Sequence, residues 1–360
     1  MNKTLRFVVP GIAAAAMAAS LTACGSSSTS TGGSSTGGGS SSGIAGGGSS
    51  AQEKAQTAWR AGAGTSATFT YDSVGSGTGR TNFISGAYKY AGTDSALKDS
   101  EVASATKTCG AAPIEIPVFI SPIDVIFNLS GVSKLNLNAS VTAKIFSGKI
   151  TKWNDSAIAA LNPGVTLPST AITPVHRSDS SGTTANFTDY LNKAAPADWS
   201  AASSSDWPTT SGESAKGTSG VVGDVQAGNG TIGYADDSGV QGTTLGVALI
   251  KVGGTYVKPS AAGAAAALSA SKEKTGTPAS ILTYSLNRTS TDASTYPIFM
   301  ASYEIACQHY ADASTAADIK KFLTFVTSDP GQQAAAANAY SAPLPAAIAA
   351  KEAAIIAKIN

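Results

Sequence analysis

Histidine and cysteine are scarce in this chain of 360 residues, with 2 of the first and 3 of the second. With only His176 and His309 and no cysteine cluster, a transition-metal site is not expected, since such metals need several nitrogen and sulfur ligands brought together. Charge of either sign in excess is missing too. The 24 Lys and Arg face 23 Asp and Glu, a net charge of +1, and no basic run or stripe occurs. That balance excludes a nucleic-acid binder, which concentrates positive charge on one face. Long hydrophobic runs are also lacking. The apolar stretch Phe7 to Ala19 has 13 residues, short of the roughly 20 that span a bilayer as a helix. Placed behind Lys3 and Arg6, it has the shape of a signal peptide.

Just beyond the apolar stretch, Leu21-Thr22-Ala23-Cys24 resembles the lipobox of bacterial lipoproteins. The resemblance implies a signal peptide over residues 1–23, cleavage before Cys24 and a lipid on Cys24. An ordinary secretory signal with an incidental cysteine is the alternative. Gly25 to Gly43 contains only Gly, Ser and Thr, so residues 24–43 read as a flexible tether that cannot bury apolar surface. Cys109 and Cys307 remain as an even pair in an oxidising compartment, where a disulfide is the default and two free buried thiols the alternative. The length suggests about two domains.

The densest polar stretch is His176-Arg177-Ser178-Asp179-Ser180-Ser181-Gly182-Thr183-Thr184. It runs into Phe187, Tyr190 and Leu191, spaced as one face of a helix. Ser181-Gly182-Thr183 then sits at the helix start, where N–H groups lack intrahelical partners and the macrodipole is positive. N–H and O–H donors beside a guanidinium are suited to holding an oxyanion. A plain N-cap is the simpler reading, but one hydroxyl suffices for that.

Elsewhere strands alternate with helices. The folded region is expected from Ile44, with Gly46 to Ser50 leading into a helix over Ala51 to Arg60. A strand at Ala67 to Tyr71 feeds a Gly/Ser turn at Gly75-Ser76-Gly77, whose spacing lacks the full dinucleotide fingerprint. A third unit, Tyr88 to Leu97, places Asp94 at a strand end. Val118 to Leu129 is nearly all apolar, a buried strand able to cross between lobes, and Tyr296 to Ala306 is a second crossing. Ile172 to His176 forms the strand entering the polar motif. A helix over Ile319 to Val326 is expected to stop at Asp329-Pro330-Gly331, and a last one spans Pro345 to about Ile359. The class is α/β with two lobes.

The polar motif, continued by Phe187-Thr188-Asp189-Tyr190-Leu191, closely resembles the signature of the phosphate-binding proteins of Pst-type ABC transporters. Gly75-Ser76-Gly77, Gly92-Thr93-Asp94, Ile145 to Trp153, Leu161-Asn162-Pro163, Gly230 to Tyr234 and Tyr296-Pro297-Ile298 match in the family's order. The resemblance covers Ile44 to Asn360. It implies the type II periplasmic-binding-protein fold, with lobe I at residues 44–120 and 296–360, lobe II at 121–295, and ligand in the cleft between them.

Carried over by position, the resemblance implies phosphate contacts from Ser50, Ala51, Ser76, Asp94, Arg177, Ser181, Gly182 and Thr183. Asp179 matches an acidic position that pairs with the Arg. Many relatives have Thr-Phe where this chain has Ser50-Ala51, which matters little if the contact at Ala51 is a backbone N–H. Ser180 replaces a Gly common in relatives. The implied partners are inorganic phosphate, a membrane permease, and the membrane itself through the lipid. The implied location is extracytoplasmic, and no cofactor is expected.

Asp94 sharpens this expectation. Two like unit charges ~3 Å apart repel by about 5 kcal/mol at an effective dielectric near 20, so a carboxylate disfavours a bare dianion beside it. Hydrogen phosphate can donate its remaining proton to Asp94, and sulfate has none to give. A solvated strand-end Asp is the plainer alternative. Trp59, Trp153, Phe187 and Tyr234 are expected in the core. A hydrolase triad from Ser181, His176 and Asp94 or Asp179 is the rival from another class, but no Gly-x-Ser-x-Gly elbow accompanies it. A binding protein for another oxyanion and a tethered adhesin with a vestigial site complete the alternatives.

Overall fold

β-Branched and aromatic residues dominate Ile114–Asn128, and all but the last of its 15 residues are buried. Such a segment belongs in the middle of a sheet covered on both faces. The computed structural model describes residues 43–360, and the expected signal peptide, Cys24 and the tether up to Ser42 lie outside the described residues. Among the described residues, nine strands share one mixed sheet. They are β1 (Ile44–Gly48), β2 (Phe69–Asp72), β3 (Tyr90–Thr93), β4 (Ile114–Asn128), β5 (Thr173–Arg177), β6 (Glu213–Ala215), β7 (Thr231–Asp236), β8 (Gly246–Val247) and β9 (Phe299–Ala306). The order is β2-β1-β3-β9-β4-β7-β5-β6, with β8 also on β4.

β4 is the seam. Its first part, Ile114 to Pro122, pairs antiparallel with β9, and Ile123 to Asn128 pairs antiparallel with β7. On one side β1 runs parallel to β2 and β3. On the other, β5 runs parallel to β6 and β7. Helices Glu53–Gly62, Ser76–Ile84 and Asp99–Cys109 follow β1, β2 and β3, while Gly182–Ala194 and Gly217–Ala227 follow β5 and β6. Five strand-to-helix junctions thus lie at the carboxyl ends of parallel strands, the edge where open α/β sheets bind ligands. Near Glu115 the chain returns once, with Ile281 bridging to that residue.

Two expectations need correction. Gly46 to Gly48 form strand rather than the lead-in to a helix, and β1 sits between β2 and β3. The Tyr90 ring fills the space that a side chain at Gly46 would need. Asp329-Pro330-Gly331 does not end the helical region. It opens a second helix, Asp329–Ala339, capped by Ser328 and with Pro330 in the first turn, where its missing N–H costs nothing.

Trp59, Trp153, Phe187 and Tyr234 are core residues, each at most 1% exposed. Cys109 and Cys307 are joined by a disulfide, Cα to Cα 5.2 Å. It ties the end of the Asp99–Cys109 helix to the residue after β9. No helix among the described residues is long and apolar enough to cross a membrane.

Candidate binding site

Asp94 follows the last residue of β3 and is 2% exposed. Its Oδ2 accepts hydrogen bonds from Ser49 Oγ at 2.5 Å and from Ser76 Oγ at 3.4 Å. Its Oδ1 accepts one from Ser302 Oγ at 2.6 Å. Burial pushes the carboxyl above its usual range, the Ser302 and Ser49 hydroxyls pull it down, nearby Asp236 pushes it up and Arg177 pulls it down. The Asp94 carbonyl is held as well, accepting from Asn186 Nδ2 at 2.6 Å. Asn186 is fixed in turn by the buried Arg288, whose Nη2 donates to Asn186 Oδ1 at 2.6 Å and whose Nε pairs with Asp189 at 2.9 Å.

Facing Asp94 is the start of the Gly182–Ala194 helix. Ser181 caps it, Oγ accepting from the Thr184 N–H at 3.2 Å. The N–H groups of Gly182 and Thr183 make no hydrogen bond among the described residues. Thr183 Oγ1 is buried without a partner there as well. Two free N–H groups and a free hydroxyl at the positive end of a helix can receive an anion. Gly75, at φ +90°, precedes the Ser76–Ile84 helix. That dihedral suits glycine, and the Asp179 carboxylate occupies the place of a side chain. The Gly77 N–H donates to the Ser180 carbonyl at 2.9 Å, so Ser180 joins the two turns through its backbone.

Arg177 ends β5 and is 3% exposed. Asp179 grips it with two parallel bonds, Nε to Oδ1 at 2.7 Å and Nη2 to Oδ2 at 2.5 Å. Nη1 makes no hydrogen bond among the described residues, which leaves the guanidinium able to donate to a ligand. Burial alone would raise the Asp179 carboxyl, but its bonds to Arg177 and to the Gly217 N–H hold it below the usual range. Behind Arg177, the Tyr234 hydroxyl accepts from the Arg177 N–H at 3.3 Å and lies 2.7 Å from Thr184 Oγ1.

The first loop is arranged differently. Ser50 Oγ lies 3.1 Å from Thr218 Oγ1 and accepts from the Thr218 N–H at 3.1 Å. The Ala51 N–H donates to Ser49 Oγ at 3.1 Å, so this loop meets Asp94 through Ser49. Sequence reasoning missed Ser49, Ser302, Asn186, Arg288 and Thr218. Ser302 and Glu304 did leave a signal, polar side chains in a strand whose residues are all buried. His176 stacks on Trp207 with ring centroids 4.9 Å apart, and its Nδ1 lies 3.0 Å from the Arg177 carbonyl. It makes no hydrogen bond to Ser181, so the arrangement lacks the nucleophile–base contact of a triad.

A buried carboxylate, a fixed guanidinium and a helix start converging at strand ends define a binding cleft of the solute-binding class. Residues 26–330 match the family model described as a PBP superfamily domain. The phosphate-binding protein PstS 3 of Mycobacterium leprae is 37% identical over 288 residues, 77% of this chain and 75% of the relative. The phosphate-binding protein PstS 2 of Mycobacterium tuberculosis is 35% identical over 298 residues, covering 81% and 80%. Among solved structures, a high-affinity periplasmic phosphate-binding protein called PfluDING, bound with phosphate, aligns with a TM-score of 0.71 at 25% identity, covering 87% of this chain and 93% of that one. The chain belongs to the PstS family of phosphate-binding proteins within the PBP superfamily. Its α/β fold is the two-lobed solute-binding fold that the sequence motifs imply.

Proposed function

We propose that this protein binds inorganic phosphate outside the cytoplasm and hands it to the permease of an ABC importer, acting as a receptor and not as an enzyme. One observation carries the reading: Asp94 lies buried opposite the unpartnered donors of Gly182 and Thr183. A carboxylate there repels a bare dianion and accepts a proton from hydrogen phosphate. The anion is held by Ser50, Ser76, Arg177, Ser181, Gly182 and Thr183 and lies against Ala51, whose own N–H is taken by Ser49, with Asp94 taking its proton and Asp179 steadying Arg177. Sulfate, which has no proton to offer at neutral pH, is rejected by about 4–5 kcal/mol, or three orders of magnitude.

Residues 44–120 with 296–360 form one lobe and residues 121–295 the other, the excursion at Ile281 returning to the first. Closure of the lobes buries the anion and presents the loaded form to the permease. Cys24 carries the lipid that keeps the receptor at the membrane, on the far end of a Gly/Ser tether.

Calorimetric titration of the purified protein, stripped of carried-over phosphate, tests this reading beside an Asp94→Asn variant. Micromolar or tighter phosphate binding, no heat from sulfate and lost discrimination in the variant are expected. A folded protein that binds no phosphate would sink the proposal.

A further inference from the structure

From Asp94 runs a chain of buried polar side chains that the binding motifs do not include. Ser302 Oγ donates to Asp94 Oδ1 at 2.6 Å and accepts from Gln52 Nε2 at 2.8 Å. Gln52 Nε2 also donates to the Tyr303 carbonyl at 2.9 Å. Gln56 Nε2 donates to Gln52 Oε1 at 2.9 Å and bonds Glu304 Oε1. All five side chains are buried, with Gln52, Gln56, Ser302 and Glu304 fully so. Buried hydrogen bonds of this kind fix one arrangement of donors and acceptors.

The direction of each bond is set by its neighbours. A backbone carbonyl only accepts, so the Tyr303 carbonyl fixes the Gln52 amide with its nitrogen toward Ser302. Gln52 therefore supplies a proton to Ser302 Oγ, and the Ser302 hydroxyl must turn its own proton to another acceptor. Among the described residues that acceptor is Asp94. Ser49 repeats the logic on the other oxygen. Its Oγ accepts from the Ala51 N–H at 3.1 Å and donates to Asp94 Oδ2 at 2.5 Å. A proton on Asp94 would compete with one of these hydroxyls and leave a buried donor unmet.

The β9 strand is shaped for this. The register between β9 and β4 shifts at Ser302/Tyr303, where Ser302 faces Phe119 and Tyr303 faces Pro117. Val118 is the extra residue of the bulge, and bulges re-aim the side chains beside them. Gly92 leaves the room that the Gln52 amide occupies.

From these contacts we infer that Ser302, oriented by Gln52 and Gln56, is a specificity-determining positioning residue: together with Ser49 it keeps Asp94 a pure hydrogen-bond acceptor, so that the anion must bring the proton. The inference rests on the phosphate reading of the site. It assigns sulfate rejection to the polarity of two hydroxyls as well as to the carboxylate they hold. The other charged or titratable groups near Asp94 are Arg177, Asp236, Glu304 and Tyr71. Only Arg177 among them favours the ionised carboxylate, so the hydroxyls carry much of that task.

The test is titration of phosphate and sulfate from about pH 5 to about pH 8, on the parent protein and on Ser302→Ala, Ser302→Thr and Gln52→Leu. In Ser302→Ala, phosphate affinity at the upper pH falls about tenfold. Sulfate binding, absent in the parent, appears at the acid end, where Asp94 then carries its own proton and donates it. Ser302→Thr keeps the hydroxyl and restores the parent profile, which a loss of packing alone would not do. Gln52→Leu changes the profile in the same direction as Ser302→Ala while leaving Ser302 in place. Parent-like pH profiles for both anions in Ser302→Ala and in Gln52→Leu would overturn the inference and leave the phosphate reading standing. A parent protein that binds no phosphate would remove both.

Discussion

Gly182 lies against Asp94 with no room for a side chain between them. A Cβ on Gly182 would stand 2.7 Å from the Asp94 Cβ and 2.6 Å from Ser76 Oγ. Asp94 follows β3 on one side of the β4 seam, and Gly182 follows β5 on the other. The glycine therefore sets how closely a helix start carried by one half of the sheet can approach a carboxylate carried by the other. In Gly182→Ala the added methyl holds the helix start away from Asp94 and Ser76. Phosphate affinity is expected to fall about 10- to 100-fold, the scale of a methyl forced into a filled space. Unliganded thermal stability should stay near the parent's, since the contact joins the halves and not the core of either. Calorimetry and thermal unfolding check the two statements, and a parent-like affinity would show that binding does not require this approach.

The Cys109–Cys307 disulfide spans a sequence separation of 198 residues and lies within the half of the sheet that contains β3 and β9. A cross-link over so long a loop restricts the unfolded chain strongly, and its loss costs about 2–5 kcal/mol. It packs with Phe83, Ala91, Leu97, Ala105 and Ile305, none of which is an anion donor. A Cys109→Ser, Cys307→Ser double variant should lose stability on that scale in urea titration while its phosphate affinity changes less than about threefold. A large loss of affinity with little loss of stability would mean that the bond positions the site.

The site was legible where chemistry and local structure coincide. Arg177, Asp179, Ser181, Gly182 and Thr183 sit on a strand end and a helix start, so their spacing alone brings them together. Asp94 and Ser76 could be placed at strand ends, but their approach to Gly182 is a tertiary fact that no local spacing contains. Ser302 lies 208 residues from Asp94 and meets it only because β9 pairs beside β3. β1 escaped reading for another reason: Gly46 to Gly48 carry no strand-forming side chains, and their extended backbone is imposed by β2, β3 and the Tyr90 ring.

Two buried acids away from the site set a dependence on pH. Glu352, in the Ala346–Ile356 helix, is 0% exposed, and neither carboxyl oxygen has a partner among the described residues. Burial raises it to about 8. Glu115, on β4, is raised by burial to about 7, with the Leu97 N–H opposing. In the unfolded chain both ionise near the ordinary value of 4.5. Between that value and the raised ones the folded protein binds more protons than the unfolded chain, so stability is full at the acid end and declines as pH rises. Glu304, also pushed well above its usual range by burial, acts in the same direction. Urea unfolding in phosphate-free buffer should show a decline of several kcal/mol from about pH 5 to about pH 8. Glu352→Gln cannot ionise, so its profile should be flatter and its stability at the upper pH higher than the parent's. A parent stability that rises across the same window would mean that Glu352 and Glu115 are ionised in the folded protein.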